Sequence, residues 1–594
     1  MRAGPLFFHP HTLLPMLHRS TCLFLLLSGL PVASFAQTIT SFSPASGNVG
    51  TLLTLTGTGL NLVTAVAVNG TPGVLLDQTG TVLRLLVMPG TTSGPLTTTG
   101  GTPATSSGSF TVTRTPLGTA QQGPKLVGTG AVGAYGPYQG LAVALSADGN
   151  TLAVGGPFDN TYVGATWVFT RSGTGWSQQG PKLVGTGAMG PRGISQGQSI
   201  ALSADGNTLA VGGYGDNSNV GATWVFARSG TTWVQQGPKL VGTGAVGPSS
   251  QGRFVALSAD GTTLAVGGDS DNSGSGATWV FTRSGTAWTQ QGPKLVGTGA
   301  VTPYGPYQGR SVALSADGTT LAVGGEGDNG LSGATWVFTR SGTTWTQQGP
   351  KLVGAGAVGA GTSVYQGHSV SLSADGTTLA TGAFYDNGKV GATWVFVRSG
   401  PAWSQQGPKL VGTGAVGLSV QGQSVALSAD GNTLAVGGYQ DNSNAGATWV
   451  FARSGTAWSQ PGPKLVGAGA VGNDVFQGIA VVLSADGTTL ATGGPGDNSG
   501  AGATWVFSTA SSPLAQRPAA GPRTSARFFP NPVADQLTPT GGPPTGPLRL
   551  FDSTGRTLRT ATYRDGQPLD LSTLPPGFYW LQLDQQAPQP LLKR

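Results

Sequence analysis

The chain has 594 residues, enough for several domains, yet only 9% are charged and 101 are glycine. Acid–base catalysis, thiol chemistry and zinc binding draw on His, Glu and Cys; beyond residue 36 the chain holds one His (His368), one Glu (Glu326) and no Cys. The net charge of +7, which falls to +5 if Arg2 and Arg19 leave with a leader, is dispersed rather than gathered into the basic stripe of a nucleic-acid binder.

Residues 1–36 read as a secretory signal peptide. An apolar run from Cys22 to Leu30 follows Arg19, and Ala33-Ser34-Phe35-Ala36 offers a small-x-small cleavage site. Met16 is a second candidate start. Cys22 lies inside this segment and does not follow a cleavage site, so no lipid anchor is expected. No later segment is long and apolar enough to be expected to cross a bilayer.

Residues 37–114 alternate short apolar stretches, such as Leu53-Thr54-Leu55 and Val82-Leu83-Arg84-Leu85, with Gly, Pro and Asn turns, the pattern of a small β-sandwich. Pro44, Gly47, Gly50 and Thr51, followed by Thr56 to Leu60 (Thr-Gly-Thr-Gly-Leu), resemble the opening of an IPT/TIG immunoglobulin-like domain. That resemblance implies a spacer or binding module.

Residues 115–508 hold seven near-copies of one unit. One copy reads Gln-Gly-Arg-Ser-Val-Ala-Leu-Ser-Ala-Asp-Gly (308–318), Thr-Leu-Ala-Val-Gly-Gly (320–325), Gly-Ala-Thr-Trp-Val-Phe (333–338) and Thr-Trp-Thr-Gln-Gln-Gly-Pro-Lys-Leu-Val-Gly (344–354). The prolines of Gly-Pro-Lys-Leu, from Pro124 to Pro463, recur every 55 to 58 residues, a period of stacked or radial repeats. Each unit predicts four short strands, with Asp-Gly and Arg-Ser-Gly hairpins between the first and last pairs. The first Gln-Gln-Gly-Pro-Lys-Leu precedes the first Asp-Gly turn, and nothing of the kind follows the last Gly-Ala-Thr-Trp-Val-Phe (502–507). Strand 121–127 is therefore expected to complete the last sheet, as in a closed propeller. The fold expected is all-β: a seven-bladed β-propeller flanked by two small Ig-like β-sandwich domains.

Leu-Ser-Ala-Asp-Gly-Asn-Thr-Leu-Ala-Val-Gly-Gly, then Asp-Asn and Gly-Ala-Thr-Trp-Val-Phe, resemble FG-GAP repeats, known from integrin α-subunit propellers and bacterial surface proteins. The Phe-Gly of that family is Gln-Gly here (Gln139, Gln196, Gln251, Gln308, Gln366, Gln421, Gln477). Some members hold Ca²⁺ in an Asp-x-Asp-x-Asp-Gly loop, whereas this loop keeps one carboxylate (Asp148, Asp205, Asp260, Asp317, Asp375, Asp430, Asp486). Calcium takes about six to eight oxygen ligands, so these are read as turn residues. A second Asp per unit (Asp159, Asp216, Asp271, Asp328, Asp386, Asp441, Asp497) precedes Asn and is read as a turn or strand cap, with weak Ca²⁺ binding as the remaining metal reading and no cofactor otherwise.

The loops from strand two to three and from strand four to the next strand one vary between copies, and a propeller places both on one face. They carry all nine repeat tyrosines, the candidate ligand-binding residues: Tyr135, Tyr138, Tyr162, Tyr214, Tyr304, Tyr307, Tyr365, Tyr385 and Tyr439. Phe158, Phe384 and Phe476 accompany them. Tyr among Gly, Ser and Asn suits an adaptable binding surface, and the low charge favours a neutral partner such as a glycan. His368 reads as structural or exposed. Asp269 with Asp271 is the one close acid pair outside the pattern, too little for a hydrolase, and no catalytic residues are assigned.

Residues 509–524, rich in Ala, Pro, Ser and Arg, read as a linker. The segment 525–594 carries Phe528-Phe529-Pro530-Asn531-Pro532-Val533, then Leu548 to Leu558, and Leu569 to Leu583 with Pro575-Pro576-Gly577-Phe578-Tyr579-Trp580. In order and spacing these closely resemble the type A C-terminal sorting domain of the type IX secretion system. That implies recognition by the secretion machinery, export across the outer membrane of a Gram-negative bacterium, and release or attachment at the cell surface. An exported adhesion or glycan-binding protein, engaging a glycan or surface protein, is the leading reading; a non-catalytic structural component of the surface or matrix is the alternative.

Overall fold

The structure is a computed structural model that describes residues 36–133, 136–190, 193–301, 305–359, 363–508, 527–529, 535–540, 545–552, 556–564, 567–583 and 589–593. The signal segment, both candidate starts, the linker and the candidate residues Tyr135 and Tyr304 lie outside these residues. The chain divides into two compact units, Met1–Ala510 and Ser511–Arg594.

At the start of the first unit, two sheets face each other. One runs Thr38–Ser43, Leu52–Thr58, Val82–Leu86, Val74–Gln78; the other runs Ser46–Gly47, Thr105–Val112, Gly94–Thr99, Ala65–Val68, Thr71–Pro72. Leu53 and Leu55 point inward while Thr54 and Thr56 alternate away, so the period of two in the sequence buries Leu53, Leu55, Val66, Val68, Leu83, Leu85 and Phe110 in one core.

Seven four-stranded antiparallel sheets follow, a propeller-like array. The first runs Ala142–Leu145, Thr151–Gly156, Ala165–Ser172, Gly175–Gln178 in spatial order. The last has only three strands of its own, and its fourth comes from far upstream: Ala120 pairs with Ser508 and Gln121 with Phe507. The upstream strand is shorter than 121–127, because Gly123-Pro124 interrupts it before Leu126 rejoins at Thr504. Two further links fasten this end: Gln121 Oε1 accepts the Ala468 N–H at 2.7 Å, and Lys125 pairs with Asp497. Around the axis, Ala147 N–H donates to Ala204 O, and the pattern continues through Ala259, Ala316, Ala374, Ala429 and Ala485 back to Ala147, at 2.8–3.1 Å. This chain of seven bonds has no end.

The repeated residues hold neighbouring sheets together. Each strand-three Trp, such as Trp167, is fully buried, and its Nε1–H donates to the preceding connection (Thr129 O, 2.7 Å). A Cβ at Gly128 would collide with that ring, which is why every copy has Gly there. The Gln that replaces Phe of the Phe-Gly motif is a clamp: Gln139 Oε1 accepts Gly128 N–H at 2.5 Å and its Nε2 donates to Gly128 O at 2.8 Å, a pairing present in all seven copies.

Both Asp sets are engaged within the chain. In the hairpins, Ser146 Oγ donates to Asp148 Oδ1 (2.6 Å), which also accepts Asn150 N–H (3.0 Å), an Asx turn. The second Asp does more than cap a turn. Asp159 is fully buried, accepts Val132 N–H at 2.8 Å and forms an ion pair with Lys182 of the next connection. Seven such Lys–Asp pairs circle the array, so the Lys charges that seem spread around a ring are neutralised against buried carboxylates. The following Asn takes φ of 48° to 51° in every copy, a left-handed conformation that Asn tolerates better than most residues.

The second unit has a four-stranded sheet (Thr557–Arg564, Thr545–Asp552, Gly577–Leu583, Gln589–Lys593) and a three-stranded one (Arg527–Phe529, Gln536–Thr540, Leu569–Asp570). Leu537, Leu548, Leu550, Leu571, Tyr579, Leu581 and Leu591 form its core. The Tyr579 hydroxyl donates to Pro575 O at 2.8 Å. Among the described residues no helix is long and apolar enough to cross a membrane.

Candidate ligand-binding mouth

The seven first strands line an axial channel. A waist of six valines and Ile200 divides it into two chambers of about 370 and 390 Å³. The lower chamber ends on the alanine ring, and here the N-terminal module intervenes: Leu86, 3% exposed, packs among Ala147, Ala316, Ala374 and Ala429, with Val49, Val74 and Met88 around it. Arg84 Nη2 lies 3.5 Å from Asp205, and Asn48 Nδ2 donates to Asp486 O at 2.9 Å. No periodicity connects Leu86 to alanines spread over the following 400 or so residues, so a separate spacer module is all that the sequence suggests. In the structure this module floors the channel, and the channel opens at one mouth.

Two positions per unit form that mouth. The residue after Gln-Gly is Leu141, Gln198, Arg253, Arg310, His368, Gln423 and Ile479 in successive copies, all lining the upper chamber. The residue after strand two is Pro157, Tyr214, Asp269, Glu326, Phe384, Tyr439 and Pro495. The third to fifth sheets thus carry the charges, and the seventh and first carry Ile479, Pro495, Leu141 and Pro157. Arg253 Nε lies 3.4 Å from Asp269 Oδ2, and Arg310 Nε lies 2.8 Å from Glu326 Oε1. His368 Nδ1 sits 2.5 Å from Glu326 Oε2.

Aromatic rings brace the cluster. The Arg253 guanidinium lies over Tyr214 (5.2 Å to the centroid) and that of Arg310 over Phe254 (5.1 Å). His368 packs on Phe384 at 4.3 Å, and Phe384 on Tyr365 and Tyr385 at 5.2 and 4.8 Å. Burial would raise the Glu326 carboxyl, but the His368 hydrogen bond and the Arg310 charge outweigh it and hold its pKa at about 2. Burial pushes the His368 imidazole below its ordinary value, against the pull of Glu326. The Tyr365 phenol is raised by burial and by Glu326.

The candidate tyrosines fall into separate groups. Tyr214, Tyr365 and Tyr385 join the charged mouth through the contacts above. Tyr439 packs on Phe476 at 5.8 Å. Tyr138 and Tyr162 pack on Phe158 at 4.8 and 5.0 Å, a distinct cluster. Tyr307, 36% exposed, lies against the backbone of Gly274 and Gly327. Tyr138, Tyr307 and Tyr365 share one register, the residue before Gln-Gly, and take φ of 54° to 64°.

His368, at 7% exposure, is neither exposed nor an isolated core residue: the one His and the one Glu beyond residue 36 meet at the mouth. Asp269 and Asp271 do not work as a pair, since Asp269 faces Arg253 and Asp271 faces Lys294. Arg253, Arg310, Glu326 and His368 are residues that a search for loop tyrosines does not find. The signal that could have found them is a charge at a register where other copies are neutral. Among the described residues, no three His, Cys, Asp or Glu side chains are grouped to hold a metal ion.

Residues 527–591 match the family described as secretion system C-terminal sorting domain. The chain therefore carries a sorting domain, the mark of export to the cell surface or beyond through the type IX machinery. No protein of curated function matches. Among solved structures, hydrazine synthase of Kuenenia stuttgartiensis superposes with a TM-score of 0.38 at 13% identity, covering 62% of this chain and 95% of that one, too distant to carry an argument.

Proposed function

We propose that this exported protein is a surface or extracellular binding protein whose ligand seats at the open mouth of the channel. In this reading the seven sheets are the blades of a closed FG-GAP-type β-propeller, the N-terminal module is an IPT/TIG-like sandwich serving as its floor, and residues 525–594 are a type A sorting domain. The observation that carries the reading is the mouth itself. The strand-three Trp, the Gln clamp and the Lys–Asp pair that join sheets are identical in all seven copies, but the equivalent positions where the channel opens hold Leu, Gln, Arg, Arg, His, Gln and Ile. Rigid scaffolds with variable loop-end residues are how binding sites are built. No catalytic role is assigned: the two Asp sets of the repeat, Asp269 and Glu326 are engaged by Lys, Arg, His or turn N–H groups. The partner class is a glycan, since amides, aromatic rings and apolar walls alternate around the rim.

The test is a glycan array probed with the exported chain in calcium and in chelator, repeated with Tyr214→Ala. Selective binding that weakens in the variant supports the mouth as the site; loss in chelator would restore a metal role to the Asp loops. Silence across the array would shift weight to a structural surface component. The packing of Tyr138, Phe158 and Tyr162 on one another, as caps over the first sheet, favours that second reading.

A further inference from the structure

We infer that the mouth is a carboxylate site and that its ligand is an acidic sugar, seated through Arg253 and Arg310. The inference rests on the mouth being the binding site and adds the chemistry of what binds. Arg253 and Arg310 occupy the same register on adjacent sheets and both line the upper chamber. Each approaches its own acid through Nε, yet each Nε is buried without an aligned acceptor. Among the described residues, no hydrogen bond within the chain is made by Nη1 or Nη2 of either guanidinium. Every other repeat charge described above is tied into the scaffold; these two forks are held at the root by Asp269 and Glu326, stiffened by Tyr214 and Phe254, and left with their paired donors unused. A planar fork with parallel N–H groups fits a carboxylate bidentately, which a Lys ammonium does not.

The surroundings select a sugar over an acidic peptide. Gln198 and Gln423 flank the charged sheets and supply amides for hydroxyl groups, while Leu141 and Ile479 across the mouth offer an apolar wall for a sugar ring face. A chamber of about 370 Å³ is at the small end of ligand sites, room for one or two sugar residues, and the floor at Leu86 means the ligand enters by its end rather than threading through. The sparse overall charge, which favoured a neutral partner, hides the placement of the charges that exist.

The experiment is calorimetric titration of the exported chain with tri-galacturonate, with neutral galactotriose and with a Glu-rich peptide. Tri-galacturonate is expected to bind at least ten-fold more tightly than galactotriose and than the peptide. Arg310→Gln and, independently, the more exposed Arg253→Gln each weaken it at least ten-fold, with denaturation midpoints confirming that the variants fold. Glu326→Gln tightens it several-fold by removing a competing carboxylate. Equal affinity for the neutral sugar, a preference for the peptide, or indifference to both Arg substitutions would overturn the inference. Galactotriose bound equally and weakened by Tyr214→Ala would leave the mouth as the binding site while removing the carboxylate; no binding of any sugar would remove both.

Discussion

The belt of Lys–Asp pairs and the channel mouth are built from the same seven-fold register, yet they behave as opposites. In the belt, seven copies hold the same buried carboxylate, the same Lys and the same backbone N–H donor to that carboxylate. At the mouth, a few residues away along the chain, the residue after Gln-Gly differs between all neighbouring sheets except the third and fourth, and the residue after strand two differs between all except the seventh and first. The difference teaches where this scaffold permits change. A position that touches the next sheet must satisfy a partner that is itself repeated, so a substitution there is unmatched six times out of seven. A position facing the channel meets only solvent and its immediate neighbours.

That contrast can be broken or sharpened by substitution. The largest effect is expected from Trp336→Ala in a central sheet: loss of about 3–5 kcal/mol, read as a lowered urea midpoint. Asp328→Ala leaves Lys351 with a half-buried uncompensated charge and costs about 3 kcal/mol; replacing both with Leu and Met recovers most of it in a double-mutant cycle. Gln308→Ala strands the Gly297 N–H and C=O and costs about 2 kcal/mol by the same measurement.

Acid should act through the mouth. The folded pKa of His368 lies below the ordinary 6.5, so the unfolded chain takes up the proton first and stability falls as pH drops below about 6.5. Glu326, at about 2 when folded against 4.5 unfolded, contributes stability that is complete above about 4.5 and lost as pH falls toward 2. Melting temperature followed from pH 8 to 5 should therefore decline in the parent protein and flatten in His368→Gln. The smallest stability effect belongs to Gln423→Ala, under about 0.5 kcal/mol, although it lines the upper chamber and, on the proposed function, should weaken binding. A large destabilisation there would erase the contrast between belt and mouth.

Much of the scaffold was legible as period and pattern. The step between Gly-Pro-Lys-Leu prolines, the Asp-Gly hairpins and the alternating Trp strand each found their place, because they are local signals repeated seven times. The partners were not legible. Lys182 and Asp159 are 23 residues apart and meet across a sheet boundary, and Gln139, standing where the resembled family has Phe, clamps Gly128 eleven residues upstream. The mouth was missed for a different reason. Arg253, Arg310 and His368 each look like ordinary loop variation, and only the geometry of first strands converging on an axis turns residues about 57 apart into neighbours. Of the candidate tyrosines, Tyr214, Tyr365 and Tyr385 lie at the mouth, whereas Tyr138 and Tyr162 pack on Phe158.

The outer strand of the last sheet is drawn from Ala120–Gln121, upstream of everything it encloses. The array is therefore latched from its front. Among the described residues every bond of this latch lies at or before Ser508, so trimming away the sorting domain is expected to leave the ring closed, whereas a single cut between residues 121 and 142 would sever the clasp from its first sheet. The sorting domain and the closure of the array are thus carried by separate stretches of the chain.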